Sequence, residues 1–410
     1  MKSTYKLPSM SKKILIVYAN ANSIFDQTNG ASKSIRLLLE SLAYEGCDVT
    51  AIMGCTSDTQ QGFKTSQEIW LDQQSGKEIR HKTKSFYFKG INLTLVATEH
   101  WSRKYLAADE QEEIYRSAEN AMQNTKSNYS KKFFIGWGNL LLEESIFKTA
   151  QMNNFTTLFY LANPSYLGKI VKTIKTSSKI ITDSHATRKL YSNEYGLQKI
   201  HVLPKCIEKP KKTRDAEEMW KEKTLLFVNP KLKKGLEALL IIAKCLEKSC
   251  PVIRIKIIDV ADQLTKELKR LGVTFNELPA NISVTGCQPS TDQLFENTTI
   301  LLLLSLWHES GSRLIHESHL RGIPCLAFNT GGTCELIGDT KEDLFEKPSA
   351  SGSSNLPRIK NWNPEKMIRR ILELSSDMDA YVKHSKLLIQ RSNRLLNNNQ
   401  KATQIILHEI

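Results

Sequence analysis

Short apolar runs alternate with amphipathic stretches along most of the chain. The first run, residues 14–18, is continuously apolar and rich in β-branched side chains, which predicts a strand buried on both faces of a parallel sheet. An amphipathic helix closed by Gly46 follows, and residues 49–53 form the next apolar run. The N-terminus therefore predicts a βαβ unit.

The rest of the first half is less regular. It predicts strand material over 85–96 interrupted at Lys89-Gly90, a polar helix over 109–124, and strands at 133–135, 156–161, 180–182 and 201–204. Residues 208–223 are charged and carry almost no apolar pattern, so we predict a linker there.

The second half alternates strands and helices over short distances, which predicts a parallel, doubly wound sheet. The predicted strands are 225–228, 253–258, 282–284, 300–304 and 325–328, and the predicted helices are 236–246, 264–271, 291–296, 312–321, 364–374 and 379–407. A segment rich in Ser, Gly and Pro, residues 349–361, is predicted as a loop.

A chain of 410 residues is too long for one ordinary core and suits two domains. We predict an α/β fold with a first Rossmann-like domain (1–207), the linker (208–223) and a second Rossmann-like domain (224–385). Residues 386–410 are predicted as a terminal helix packing back on the first domain. The carboxyl ends of both sheets then face each other across a cleft, where a ligand binds.

The formal net charge of +14 favours anionic partners: nucleic acid, a membrane surface or phosphorylated small molecules. Lysine pairs are scattered along the chain, which favours a dispersed surface charge. A nucleic-acid partner rests on net charge alone and is not predicted, because no recognition module or stacking platform is evident. Peripheral contact with a membrane stays open.

The eight cysteines include no CxxC pair and no zinc spacing, so neither a metal site nor a redox motif is predicted. No apolar run is long enough for a signal-peptide core or a membrane span. We therefore expect a cytoplasmic protein, with any membrane contact on the inner face.

The most informative stretch is residues 305–339. Glu309 and Glu317 have seven residues between them, and small residues at 310–312 follow the first of them at the start of a predicted helix. Free backbone N–H groups and the positive end of the helix dipole suit a diphosphate there. A glutamate before the helix suits sugar hydroxyls, and one further along suits a ribose. Gly331-Gly332 predicts a second backbone corner for an anion.

This stretch resembles the donor-site signature of retaining glycosyltransferases of family 4 (glycosyl transferases group 1), which have the GT-B fold. Other segments resemble the family in the same order along the chain: Asn29-Gly30, 180–188, 202–208, 227–235 and 284–286.

The resemblance implies a role for each matching residue. Glu317 is expected to bind the ribose, Glu309 the transferred sugar, and Lys234 the leaving diphosphate, with Lys234 and Glu309 as the catalytic pair. The other implied donor-binding positions are Gly30, Lys231, Gly286 and the backbone at Ser310, Gly311, Ser312 and Arg313.

Three positions depart from the family pattern. Gly311 stands one place earlier than the usual second small residue, with Ser312 in its stead. Asn229-Pro230 stands where the family has an arginine, so Lys231 is the nearest available cation. Ala162-Asn163-Pro164 stands where many members place a histidine near the acceptor. Asn163 has no basic group and is expected only to position an acceptor hydroxyl.

The resemblance implies hexosyl transfer from a nucleoside-diphosphate sugar, retaining and metal-independent, with no cofactor and with UDP-sugar preferred to GDP-sugar. The acceptor stays open among a glycan, a lipid-linked sugar, a protein and a small molecule. The alternative is a non-catalytic GT-B protein that serves as the acceptor-binding partner of another transferase.

Overall fold

The computed structural model describes residues 13–26, 28–72, 77–80, 82–125, 129–168, 171–353 and 356–410. They form two α/β domains, each built on its own sheet and its own apolar core. The prediction of an α/β fold with two Rossmann-like sheets is confirmed.

The first sheet has nine strands in the order β3-β4-β5-β2-β1-β6-β7-β8-β9. These are β1 (Lys13–Asn22), β2 (Asp48–Thr56), β3 (Lys77–Arg80), β4 (Thr83–Phe88), β5 (Ile91–Val96), β6 (Tyr129–Gly136), β7 (Thr156–Leu161), β8 (Lys179–Thr182) and β9 (Ile200–Val202). The antiparallel hairpin β4-β5 turns at Lys89-Gly90, and the strands from β5 to β9 run parallel.

Six helices connect and cover this sheet: α1 (Gly30–Tyr44), α2 (Gln60–Asp72), α3 (Ala108–Gln123), α4 (Leu141–Met152), α5 (Lys172–Thr176) and α6 (His185–Tyr195). The sequence pattern gave no prediction of α2 or α4. In α4 the buried apolar residues Leu142, Ile146, Phe147 and Ala150 lie at helical spacing, so the signal was present.

The second sheet has six parallel strands in the order β12-β11-β10-β13-β14-β15. These are β10 (Thr224–Val228), β11 (Arg254–Asp259), β12 (Ile282–Gly286), β13 (Ile300–Leu303), β14 (Cys325–Phe328) and β15 (Leu344–Phe345). The strands β10, β13 and β14 are almost wholly apolar, as expected for strands covered on both faces.

The helices of the second half are α7 (Ala216–Lys221), α8 (Leu236–Ser249), α9 (Leu264–Leu271), α10 (Thr291–Leu294), α11 (Arg313–His319), α12 (Thr333–Ile337), α13 (Glu365–Ser376), α14 (Met378–Ser392) and α15 (Asn398–Gln404). Short 3₁₀ segments lie at Arg103–Tyr105, Leu232–Lys234, Phe275–Glu277, Lys341–Asp343 and Asn393–Asn397, and a π-helical turn spans Ile405–Glu409.

Three expectations about local structure were wrong. The predicted loop 349–361 contains a two-stranded antiparallel ribbon, β16 (Ser349–Ser351) and β17 (Arg358–Lys360). The charged segment 208–223 contains α7, whose Met219 is buried in the second core and whose Trp220 Nε1 donates to Leu374 O at 3.1 Å. The predicted helix 379–407 is interrupted at Asn393–Asn397, where asparagines favour local turns over a continuous helix.

After that interruption the chain returns to the first domain. Ala402 and Ile406 are fully buried in the first core. The Asn399 side chain accepts a hydrogen bond from Ile207 N at 2.8 Å and donates one to Ile207 O at 3.1 Å. The last 13 residues therefore fasten the two domains together at the linker. In the described part of the chain, no helix is long and apolar enough to cross a bilayer.

Candidate functional site

A cleft of about 620 Å³ lies between the two domains. Eleven Lys or Arg residues line it against six Asp or Glu residues, so its walls carry an excess of positive charge. Such an excess in a cleft attracts an anionic ligand. The predicted site residues that line this cleft are Gly30, Asn163, Lys231, Lys234, Glu309, Ser310, Gly311, Ser312, Arg313 and Glu317.

Gly286 is the one predicted site residue outside this lining. It ends β12, and the next residues, Cys287 and Gln288, line the cleft in its place. The predicted donor-binding role of Gly286 therefore has no support from the lining of the cleft.

Lys234 is placed by a tight turn after β10. Gly235 has φ +91°, and a Cβ atom there would lie 2.0 Å from the carbonyl oxygen of Leu304, just past the neighbouring strand β13. Only glycine allows this backbone conformation and this close approach. The turn brings the Lys234 ammonium into an ion pair with the Glu309 carboxylate.

Glu309 is buried at the floor of the cleft, with 8% of its surface exposed. Burial opposes ionisation of the carboxylate, but the Lys234 cation outweighs it and holds the pKa of Glu309 below its ordinary value. Lys234 and Glu309 are thus both charged and matched to each other.

The Gly331-Gly332 corner supports Glu309 and does not form a separate anion site. Gly332 N donates to Glu309 O at 2.6 Å, so this N–H is already occupied. A Cβ atom on Gly331 would lie 2.2 Å from the same oxygen. The expectation of a second free anion-binding corner was wrong, because the backbone of Glu309 fills it.

The small residues after Glu309 leave polar groups available to a ligand. The Ser310 side chain is buried, and its Oγ has no hydrogen-bond partner among the described residues. Ser312 precedes α11, and its side chain makes no capping bond to that helix. A buried hydroxyl without a partner on a cleft wall costs stability until a ligand satisfies it.

Glu317 lies one helical turn after Arg313 on α11, and two cations reach it. Lys33 Nζ donates to Glu317 Oε1 at 2.8 Å, and Arg313 Nη2 donates to the same oxygen at 3.3 Å. Although burial alone raises the pKa of Glu317, Arg313 and Lys33 hold it below the ordinary value. The sequence reasoning missed Lys33, which lies one turn after Asn29-Gly30 at the start of α1.

Arg313 was expected to act through its backbone, and its side chain has a further role. The guanidinium is buried and donates to Cys206 O at 2.7 Å as well as to Glu317. It thereby anchors Glu317 to the segment that enters the linker.

Three lysines crowd the turn after β10. Burial lowers the pKa of Lys231 and of Lys233, and the charge of Lys234 lowers both further. The Lys233 ammonium lies 4.0 Å from the ring centroid of Trp307. Three neighbouring ammonium groups repel one another, so an anion bound beside them is stabilised by relief of that repulsion.

The acceptor-side wall differs from what the sequence suggested. Asn163 lines the cleft, but its Oδ1 accepts a hydrogen bond from Ser165 N at 2.9 Å, which fixes a local turn.

The cleft also contains a buried polar group that sequence reasoning missed. Lys205 Nζ donates to Asp183 Oδ2 at 2.6 Å, and Tyr160 Oη donates to both carboxylate oxygens. Gly311 makes room for this group, because its Cβ would lie 3.1 Å from Asp183 Cβ.

Within the described ranges, no group of three or more His, Cys, Asp or Glu side chains is arranged to hold a metal ion.

Gly30 lines the cleft and leaves room there, and its backbone conformation does not require glycine. It begins α1, and a Cβ atom there would meet nothing within 4 Å. Gly30→Leu is therefore expected to fold with unchanged melting temperature and to bind inorganic diphosphate at least about tenfold more weakly, because the side chain fills part of the cleft. Calorimetric titration measures this, with Gly30→Ala as the small control. Wild-type affinity in Gly30→Leu would show that the ligand does not pass this helix end.

Residues 208–356 match the family Glycosyl transferases group 1. The match includes most of the second domain, with Lys231, Lys234, Glu309 and Glu317, so the resemblance to glycosyl transferases group 1 is confirmed for these residues. No curated protein sequence matches the chain.

Solved structures share the whole fold at low sequence identity. HepE of Anabaena in complex with UDP and glucose has a TM-score of 0.60 and 14% identity, over 96% of this chain and 99% of that chain. Sucrose-phosphate synthase from Thermosynechococcus elongatus has a TM-score of 0.63 and 12% identity, over 96% and 97%. A variant of TarM from S. aureus in complex with fondaparinux, alpha-GlcNAc-glycerol and UDP has a TM-score of 0.60 and 10% identity, over 95% and 99%.

Proposed function

We propose, from the premise that residues 208–356 form a glycosyl transferases group 1 domain within a GT-B fold, that the protein transfers a sugar from a nucleoside-diphosphate sugar to an acceptor hydroxyl. UDP-sugar is the proposed donor class, in line with the UDP held by HepE and by TarM. The acceptor is proposed to be a glycan, a lipid-linked sugar or a protein.

The observation that carries this proposal is the arrangement of Lys234, Glu309 and Glu317 in one cationic cleft. Lys234 and Glu309 form a charged pair, and Glu317 is held ionised by two cations. A nucleoside-diphosphate sugar offers matching groups: a diphosphate for the lysine, sugar hydroxyls for Glu309 and ribose hydroxyls for Glu317.

During the reaction, the largest change in charge occurs on the diphosphate. As the bond between sugar and phosphate breaks, negative charge grows on the leaving oxygen, and the Lys234 ammonium stabilises it there. Lys231 and Lys233 add positive charge beside it, which compensates for Asn229 at the position where the family has an arginine. The departing diphosphate takes the proton of the acceptor hydroxyl, and the acceptor oxygen forms the new bond to the sugar.

Retention of anomeric configuration and independence from a metal ion are part of the proposal. Asn163 offers no base on the acceptor wall, which favours a mechanism in which the leaving phosphate accepts the proton on the same face of the sugar. The anomeric proton signal of the product by NMR, with the reaction run in EDTA, tests both features. An inverted product would exclude the retaining mechanism, and a requirement for added Mg²⁺ would exclude metal independence.

One observation favours the alternative of a non-catalytic partner protein. Asn163 is engaged in a local turn, and no histidine stands beside it, so the acceptor wall lacks an evident base. Such a protein binds UDP without turning over UDP-sugars. Release of UDP from a panel of UDP-sugars, with and without candidate acceptors, separates the two functions.

Glu317→Gln tests the role of Glu317 in donor binding. Hydrogen bonds to a charged acceptor contribute roughly 1.5–3 kcal/mol, so we expect UDP to bind the variant about 10- to 150-fold more weakly. Titration calorimetry measures this, and Glu365→Gln, an exposed surface substitution on α13, is the matched control. Equal UDP affinity in Glu317→Gln and the control would remove Glu317 from the donor site.

A further inference from the structure

Lys33 belongs to the first domain but makes its polar contacts with the second. Its Nζ donates to Glu317 Oε1 at 2.8 Å and to Thr291 Oγ1 at 2.5 Å. The side chain is largely buried, with 14% of its surface exposed. The ammonium therefore bridges the two domains at the glutamate assigned to the ribose.

Both cations that reach Glu317 bind the same oxygen. Lys33 and Arg313 donate to Oε1, which leaves Oε2 for a ligand. An ammonium has three N–H donors, and Lys33 uses two of them on Glu317 and Thr291. The lysine thus fixes the carboxylate without occupying the oxygen that a ribose hydroxyl needs.

The position of Lys33 is itself well fixed. It lies in the first turn of α1, where the Asn29 side chain caps the helix by accepting from Ala31 N at 2.8 Å. The next residue, Ser34, is buried, and its Oγ accepts from Arg313 Nη1 at 3.4 Å. One turn of α1 therefore contacts both residues of the second domain that define the site, Arg313 and Glu317.

We propose that Lys33 is a positioning residue for ribose recognition, which orients the Glu317 carboxylate so that Oε2 accepts the ribose hydroxyls only while the two domains are in contact. This inference rests on the proposed function, because it assigns the ribose of the donor to Glu317. It adds a side chain of the first domain, next to the donor-binding position Gly30, to the determinants of donor specificity.

If the ion pair between Lys33 and Glu317 had only a structural role, a different pattern of affinities would be expected. If Lys33 only held the domains together, its loss would weaken UDP and a ribose-modified UDP by the same factor. If it orients Glu317, its loss weakens UDP specifically through the ribose hydroxyls. The ratio of the two affinities therefore separates the roles, whatever the change in stability.

The experiment measures the affinities of wild type and of Lys33→Met for UDP and for 2′,3′-dideoxy-UDP by titration calorimetry. Wild type is expected to prefer UDP by roughly 10- to 100-fold, as for hydroxyls bonded to a charged carboxylate. Lys33→Met is expected to prefer UDP by less than about threefold. Lys89→Met is the control, because Lys89 also lines the cleft but pairs with Glu40 at 3.0 Å.

Each outcome has one meaning. A Lys33→Met preference equal to that of wild type overturns the inference and leaves the proposed function intact. Failure of wild type to bind UDP or any other nucleoside diphosphate overturns the proposed function itself. Lys33→Gln is measured in parallel and is expected to show the same reduced preference, and a thermal melt confirms that each variant is folded before titration.

Discussion

Lys234→Met is expected to lower the turnover of the UDP-sugar donor by roughly 10²–10³-fold while the protein stays folded. Lys234 is the cation that pairs with Glu309, and the diphosphate gains charge as the sugar departs. Methionine keeps the length of the side chain but offers no charge, so stabilisation of the leaving group is lost. Steady-state release of UDP, with substrate binding measured separately, gives the size of the loss.

A second consequence of the same substitution concerns Glu309. Without Lys234, burial of the carboxylate acts with less opposition, so the pKa of Glu309 rises toward and beyond its ordinary value. The matched control is Lys233→Met, whose ammonium lies over Trp307 and not against Glu309. We expect the control to change turnover less than about tenfold. Equal losses in both variants would mean that only the summed charge of the cleft matters.

Gly235→Ala is expected to destabilise the second domain by about 3 kcal/mol or more. The backbone there has φ +91°, and the added Cβ would lie 2.0 Å from Leu304 O, a backbone atom that cannot rotate away. Overpacking and left-handed strain each contribute on the order of 1–3 kcal/mol. Chemical denaturation measures the loss, and turnover is expected to fall because Lys234 moves away from Glu309.

Gly272→Ala separates the effect of left-handed backbone strain from the effect of the close contact. Gly272 also has a positive φ, +71°, but a Cβ atom there would meet nothing within 4 Å. We therefore expect a cost of only about 1 kcal/mol, from backbone strain alone. If Gly235→Ala were no more harmful than Gly272→Ala, the close approach to Leu304 would not matter, and the placement of Lys234 would need another explanation.

The architecture was predictable because buried strands leave a strong signal. Apolar runs such as 14–18 and 300–304 correspond to β1 and to β13 with the residue that follows it, and Gly46, which was predicted to close the first helix, follows the end of α1 with φ +87°. Elements stabilised mainly by tertiary contacts were missed or misjudged. Helix α7 is highly charged, and tertiary contacts such as the burial of Met219 and the bond from Trp220 to Leu374 show that it belongs to the second domain.

The donor wall was predictable for a related reason: its residues are close together in sequence. Glu309, Glu317 and the loop between them lie on a single segment, and the strand before it, the helix stop and the Gly-Gly-x-x-Glu after it together predict a shared site. The contact between Lys33 and Glu317 depends on how the two domains face each other, and the Lys205–Asp183 ion pair joins residues 22 positions apart in the first domain. No local sequence pattern indicates either contact, so the structure was needed to place these residues in the cleft.

The structure also changed the meaning of two motifs. Gly331-Gly332 looked like a free anion-binding corner, but its N–H is bonded to Glu309 O. Arg313 was expected to serve through its backbone, yet its buried guanidinium orients Glu317. In both cases a residue predicted to contact the ligand instead holds a glutamate in place: Gly332 supports Glu309, and Arg313 orients Glu317.

The central claim is that the cleft between the domains is a binding site for a nucleoside-diphosphate sugar. Titration calorimetry of the wild-type protein with UDP in the presence of EDTA tests it most directly. The predicted result is saturable binding of one UDP per chain without added metal. Absence of binding by UDP and by every other nucleoside diphosphate, with or without Mg²⁺, would contradict the claim.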